Sequence, residues 1–138
     1  MKPVIQEETT GCAIASAAAV AGITYKTAKD VAKGIGIVAS DQSLWSSTDP
    51  VRRLLGELGV EADKIERPFN GWDRLPDCAL LSIKWHLEDG RPFWHWVVFV
   101  REGARQYVLD SKKGLKRNLR TDFGRMKPKW YIEITDRG

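Results

Sequence analysis

Cysteine is scarce in this chain, and its scarcity excludes several classes at once. Only two occur in 138 residues, Cys12 and Cys78. Two distant cysteines make no disulfide framework and fit an intracellular protein at least as well as an exported one. No short ligand pair such as C-x2-C is present, so a zinc centre made from Cys12, Cys78, His86 and His95 is disfavoured, and no metal or cofactor is expected. No internal repeat or low-complexity tract is visible. The apolar run from Gly11 to Ile23 is shorter than the roughly 20 residues that cross a bilayer. Its alanines, with A-x-A spacing at Ala19 and Ala21, have the look of a signal-peptide core. Glu7 and Glu8 stand just before it, however, where basic residues belong. The run is therefore read as a buried helix of the mature protein, and the expected location is cytoplasmic.

What is present describes one globular domain spanning residues 1–138. Apolar residues make up 43% and charged residues 29%, a balance that supports one sizeable core. The net charge of +4 is concentrated late, at Lys112, Lys113, Lys116, Arg117, Arg120, Arg125, Lys127 and Lys129, with only Asp122 among them. The stretch lacks a nucleic-acid motif and has little aromatic interleaving. It is read as a solvated face, and nucleic acid is not expected as a partner.

Helical signals come first. Thr10 is placed to cap a helix that starts near Gly11 and runs to Ala21, with Gly22 as its stop. Thr27 and Asp30 have capping-box spacing and predict a short helix ending near Gly34. Asp49-Pro50 starts a third helix, with Val51, Leu54, Leu55 and Leu58 on one face and Gly59 at its close. Residues 61–77 are irregular, broken by Pro68, Asn70-Gly71 and Pro76. The period then changes. Strands are predicted from Ala79 to Trp85, from Trp94 to Arg101 and from Gln106 to Ser111. A last strand has Trp130, Ile132 and Ile134 alternating with Tyr131, Glu133 and Thr135. Helices followed by strands indicate α+β with an antiparallel sheet.

The chemistry centres on a thiol. The unpaired N–H groups in a helix's first turn favour thiolate over thiol, and the predicted cap places Cys12 there. Cys78 follows Pro76-Asp77 and leads into a strand. A base must come from His95, at the start of an apolar strand, or from His86, near the Asp89-Gly90 turn. Gly103-Ala104 suits a two-residue II′ turn, which sets Glu102 opposite Arg105 and carries His95 to a position opposite Lys112. Asp110 then shares a face with His95 and lies diagonally across from it, roughly 7–8 Å away between backbones. A carboxylate there can hold an imidazole in its productive tautomer. Trp94 and Trp96 flank His95 and must point to the opposite face. Most of the six tryptophans are expected in the core, with Trp45 a candidate for a substrate groove.

These segments resemble a known family. Gln6-Glu7-Glu8-Thr9-Thr10-Gly11-Cys12-Ala13 is similar to the Gln-x5-Cys opening of the C39 peptidases, papain-like domains that remove double-glycine leader peptides. His95-Trp96-Val97-Val98 resembles their histidine strand, and Val108-Leu109-Asp110 with Gly114 resembles their aspartate segment. The resemblance implies a papain-like fold and a peptide or protein substrate, with cleavage after Gly-Gly as the borrowed preference and a separate transporter as a candidate partner. It assigns nucleophile to Cys12, base to His95, orienting acid to Asp110 and oxyanion donor to Gln6. Three positions depart from the family: Ala13 replaces a Gly, Gly11 stands where an acid is common, and Ser111 replaces a Pro. The rival readings are a catalytically inactive peptide-binding relative and an amide deconjugase or acyltransferase using the same groups.

Overall fold

The computed structural model describes residues 1–137 and resolves the chain into helices followed by strands. Helices α1 (Cys12–Ala21), α2 (Tyr25–Gly34) and α3 (Asp49–Glu57) come first, with a single 3₁₀ turn over Gln42–Trp45 between the last two. Strands β1 (Glu61–Ala62), β2 (Arg67–Pro68), β3 (Cys78–Glu88), β4 (Arg91–Glu102), β5 (Arg105–Leu109), β6 (Leu119–Arg120) and β7 (Trp130–Asp136) follow. The sheet is antiparallel, in the order β1-β7-β3-β4-β5-β6, and β2 also pairs with β7. The architecture is α+β, as the order of periodicities predicted.

Helix α1 is the hub. Nine of its ten residues are buried, because it lies between α2, α3 and the sheet. Its alanines carry almost no side-chain bulk, so three elements can approach its axis. The shared core joins α1 to Leu54 and Leu55 of α3 and to Trp94, Trp96, Val98 and Val100 of β4. A second core covers the other sheet face, where Val97 and Phe99 of β4 pack with Leu75 and Met126. Strand β4 is therefore buried on both faces, which explains its unbroken apolar run from Trp96 to Val100.

Two helix starts differ from the sequence reading. Gly11, not Thr10, is the N-cap of α1, and it contributes no side-chain cap bond. The Thr10 hydroxyl instead donates to the Ala39 carbonyl, tying the start of α1 to the α2–α3 connection. Helix α2 begins at Tyr25, capped by Thr24, whose hydroxyl accepts from the Thr27 amide at 3.2 Å. Thr27 therefore sits inside the helix. The stops hold: Gly22 takes a left-handed φ of 73° and α2 ends at Gly34. Strands β3 and β4 run longer than expected and meet at a turn through Asp89-Gly90, while β5 stops at Leu109.

Gly11 is required for space. A Cβ there would collide with the Tyr25 hydroxyl and crowd the Glu8 carbonyl and Gln6 Cβ. Gly11→Ala is expected to destabilise the fold by about 1–3 kcal/mol, the usual cost of overpacking. Tyr25→Phe removes the colliding oxygen, so urea denaturation of the double variant should show less than the sum of the two single losses. Strict additivity would count against the collision.

Candidate active site

The β4–β5 pairing creates the site by ending early. It runs from Glu102↔Arg105 to Val98↔Leu109 and then stops. The register is the one predicted from Gly103-Ala104: Gly103 has φ 61° and Ala104 has no positive φ, as a II′ turn requires. Two residues beyond the last pair, the Trp96 amide has lost a β5 partner, and it donates to Cys12 Sγ at 3.5 Å. The thiol at the start of α1 thus fills the gap left by the departing strand.

His95 lies next to this contact. Its Nε2 and Asp110 Oδ1 are 2.7 Å apart. Trp94 and Trp96 turn into the helix-side core, in an edge-to-face cluster with Trp130. With Nε2 held by Asp110, the ring's Nδ1 is the nitrogen left for Cys12. Burial alone would push the imidazole pKa down. Hydrogen bonds and charge from Asp110 and Cys12 outweigh it and raise the value to about 9.

Asp110 is 1% exposed, and burial pushes its carboxyl pKa up. His95, the Lys112 amide and the Arg120 guanidinium oppose that push and lower it to about 2. Oδ1 accepts from His95 and from Lys112 N at 3.1 Å, and Oδ2 accepts from Arg120 Nη1 at 3.0 Å. Asp122 grips the same guanidinium at 2.9 and 2.7 Å. Sequence reasoning missed Arg120 by assigning the late basic stretch to a solvated face. The available signal was Asp122, the lone acid in that stretch, two residues after Arg120.

Gln6 is buried beside the site, with its amide already engaged. Oε1 accepts from the Ser111 hydroxyl at 2.7 Å. Nε2 donates to the carbonyls of Glu8 and Thr9 at 3.1 and 2.9 Å. Glu8 in turn binds the Tyr25 hydroxyl and the Lys29 ammonium, each at 2.5 Å. Cys12 has no exposed surface. The open part of the site is a cleft of about 230 Å³ that reaches Gln6, Thr9 and His95 and is walled by Trp45, Phe93 and Trp94.

Of the other candidates, Cys78 lies apart, whereas His86 lines the same cleft as His95. Cys78 pairs with Val100 on β3, and burial pushes its thiol pKa up to about 11. His86 is exposed near the β3–β4 turn, as expected, with ring contacts to the Lys84 carbonyl and Glu88. Among the described residues no three His, Cys, Asp or Glu side chains are grouped as a metal site. No helix among them is long and apolar enough to cross a membrane.

The fold has a counterpart among solved structures. A crystal structure of a double glycine motif protease from an AMS/PCAT transporter, in complex with the leader peptide, is similar over 98% of this chain and 91% of that chain. The TM-score is 0.57 and the sequence identity 18%. The chain has the fold of a C39 papain-like peptidase. No protein-family model and no curated protein matches its sequence. At this identity the likeness carries the C39 fold alone.

The pair's ionisation should be readable. His95 and Asp110 contribute stability fully between about pH 4 and 6.5, above the unfolded carboxyl value of 3.8 and below the unfolded imidazole value of 6.5. Asp110's share is lost as pH falls toward its folded value of about 2, and His95's share is lost as pH rises through about 9. With only two histidines in the chain, NMR titration resolves each ring. Asp110→Asn should bring the His95 midpoint down while that of His86 stays put. An unchanged His95 midpoint would contradict the pairing.

Proposed function

We propose that this chain is a cysteine peptidase that cleaves a peptide or leader-peptide bond, with Gly-Gly before the scissile bond as the first candidate. The observation that carries the reading is the interaction of Cys12, at the start of α1, with a histidine whose far nitrogen is fixed on a buried carboxylate. Cys12 and His95 form a thiolate–imidazolium pair. The thiolate attacks the carbonyl carbon, Nδ1–H protonates the departing amine, and water then releases the acyl group from sulfur. Nε2 keeps its proton throughout, and Asp110 accepts that hydrogen bond without taking the proton. The tetrahedral oxyanion is held by the Cys12 backbone N–H and the Gln6 amide.

Two rearrangements are needed, and one movement supplies both. Cys12 is covered, and the Gln6 amide is spent on its own loop at Glu8 and Thr9. Displacing residues 7–10 away from Gln6 frees its amide nitrogen and opens a way to the sulfur. The fold of a protease complexed with a leader peptide supports a peptide as the occupant. Amide deconjugation or acyl transfer would use the same groups. The covered thiol favours one second reading, a peptide-binding relative without catalysis.

Cleavage of a double-glycine peptide library, read by mass spectrometry, separates these. Cys12→Ala should abolish cleavage. Gln6→Ala should cut kcat by about 10²–10³, the typical cost of one lost oxyanion donor, and leave a measurable remainder. Iodoacetamide at neutral pH should modify Cys12 before Cys78, whose raised pKa keeps it a thiol. If Cys12 never reacts while labelled peptide still binds, the non-catalytic reading takes over.

A further inference from the structure

The cleft beside His95 has an apolar body and a basic rim. Trp45, Phe93 and Trp94 supply the body. Lys84 and Lys112 line the same space, one from β3 and one from the segment after β5. No aspartate or glutamate lines it. The nearest buried acid, Asp110, has both oxygens committed to His95, the Lys112 amide and Arg120. Neither lysine ammonium is among the ion pairs formed by the described residues.

Lys84 is also held in place by the backbone. The β3–β4 register shifts between Ile83 and His86, so the strand bulges at Lys84. Its φ is 55°, a left-handed value that is strained for a non-glycine residue. Bulges re-aim side chains at the rims of sites. Two like charges converging on one cleft repel each other, and a carboxylate placed between them relieves the repulsion and gains two attractive contacts. Burial and the neighbouring Lys112 both push the Lys84 pKa down, in keeping with this crowding.

We propose that Lys84 and Lys112 make this cleft a subsite for an acidic side chain of the peptide substrate, seated beside an apolar residue that packs on Trp45, Phe93 and Trp94. The proposal rests on the peptide-substrate reading and adds the charge class of the substrate. The cleft also touches His95 and Gln6, so the acidic residue belongs within a few positions of the scissile bond.

The test separates binding from chemistry by using the full chain with Cys12→Ala. Three capped peptides are titrated at low salt: acetyl-Leu-Glu-Gly-Gly-amide and its Gln and Lys counterparts. The tryptophan indole NMR signals report affinity and location. The Glu peptide should bind about three- to tenfold more tightly than the Gln peptide, and the Lys peptide most weakly. The Trp45 and Trp94 signals should move, and the Glu preference should shrink as salt is raised. The exposed-lysine double variant Lys84→Glu/Lys112→Glu should reverse the order. Equal affinities for Glu and Gln, or an order unmoved by the double variant, would overturn the subsite. So would an uncapped Gln peptide that binds through its terminal carboxylate as well as the Glu peptide does. Each of these outcomes is independent of whether wild-type Cys12 cleaves, so the subsite and the peptidase reading can fail separately.

Discussion

The contact between the first turn of α1 and the unpaired edge of β4 is the constraint on which the rest of this molecule depends. A strand that loses its neighbour partway along leaves an amide without a partner, and a buried unpaired amide is costly. Here the Trp96 N–H is taken up by Cys12 Sγ. That bond is possible only because α1 comes down close to the sheet, and it comes close because most of its core-facing residues are alanines. A bulkier helix would stand further off and leave the amide unsatisfied and the thiol away from His95. The placing of Cys12 beside His95 is thus a by-product of how tightly a small-residue helix packs on a strand end.

Burying a carboxylate beneath such a site demands compensation. Asp110 is almost fully enclosed, and desolvation of an ion costs several kcal/mol unless its lone pairs are satisfied. It receives a ring nitrogen, a backbone amide and a guanidinium, and the Asn118 side chain holds its backbone carbonyl at 2.7 Å. Arg120 carries its own counter-charge in Asp122, so the local net charge stays near zero and the imidazole meets an oriented carboxylate in a neutralised setting. The chain Asp122–Arg120–Asp110–His95 runs from solvent to the site's centre, and each member fixes the orientation of the next.

The order and type of elements were legible because each rests on local pattern. The periodicity of Val51, Leu54 and Leu55, the Gly22 stop and the Gly103-Ala104 turn all carry their physics within a few residues. The turn mattered most. Its two-residue length sets the β4–β5 register, and that register puts Asp110 within reach of His95, so part of the site could be read from one glycine. What escaped was long-range. Thr10 has the composition of a cap, but its hydroxyl found the Ala39 carbonyl 29 positions away. Arg120 read as one cation among many because only the β5–β6 pairing, Val108↔Arg120, brings it beside Asp110. The burial of Cys12 was equally invisible, since exposure depends on three elements distant in sequence.

Ser111 shows how a departure from a family pattern can acquire its own role. The C39 resemblance leads one to expect proline after the aspartate. A proline would keep the carbonyl that accepts from Gln6 N at 2.9 Å, but it could not supply the hydroxyl that donates to Gln6 Oε1. Two carbonyls settle which end of the amide faces which way. The Glu8 and Thr9 carbonyls accept only, so the atom turned to them must be nitrogen, and Ser111 must then be the donor to oxygen. The amide is therefore held at its oxygen, so a shift of the loop can release the nitrogen without freeing the whole side chain. A donor pivoting on a fixed oxygen reaches a new acceptor with little loss of order, which is the condition an oxyanion site needs if it is to form only when substrate arrives.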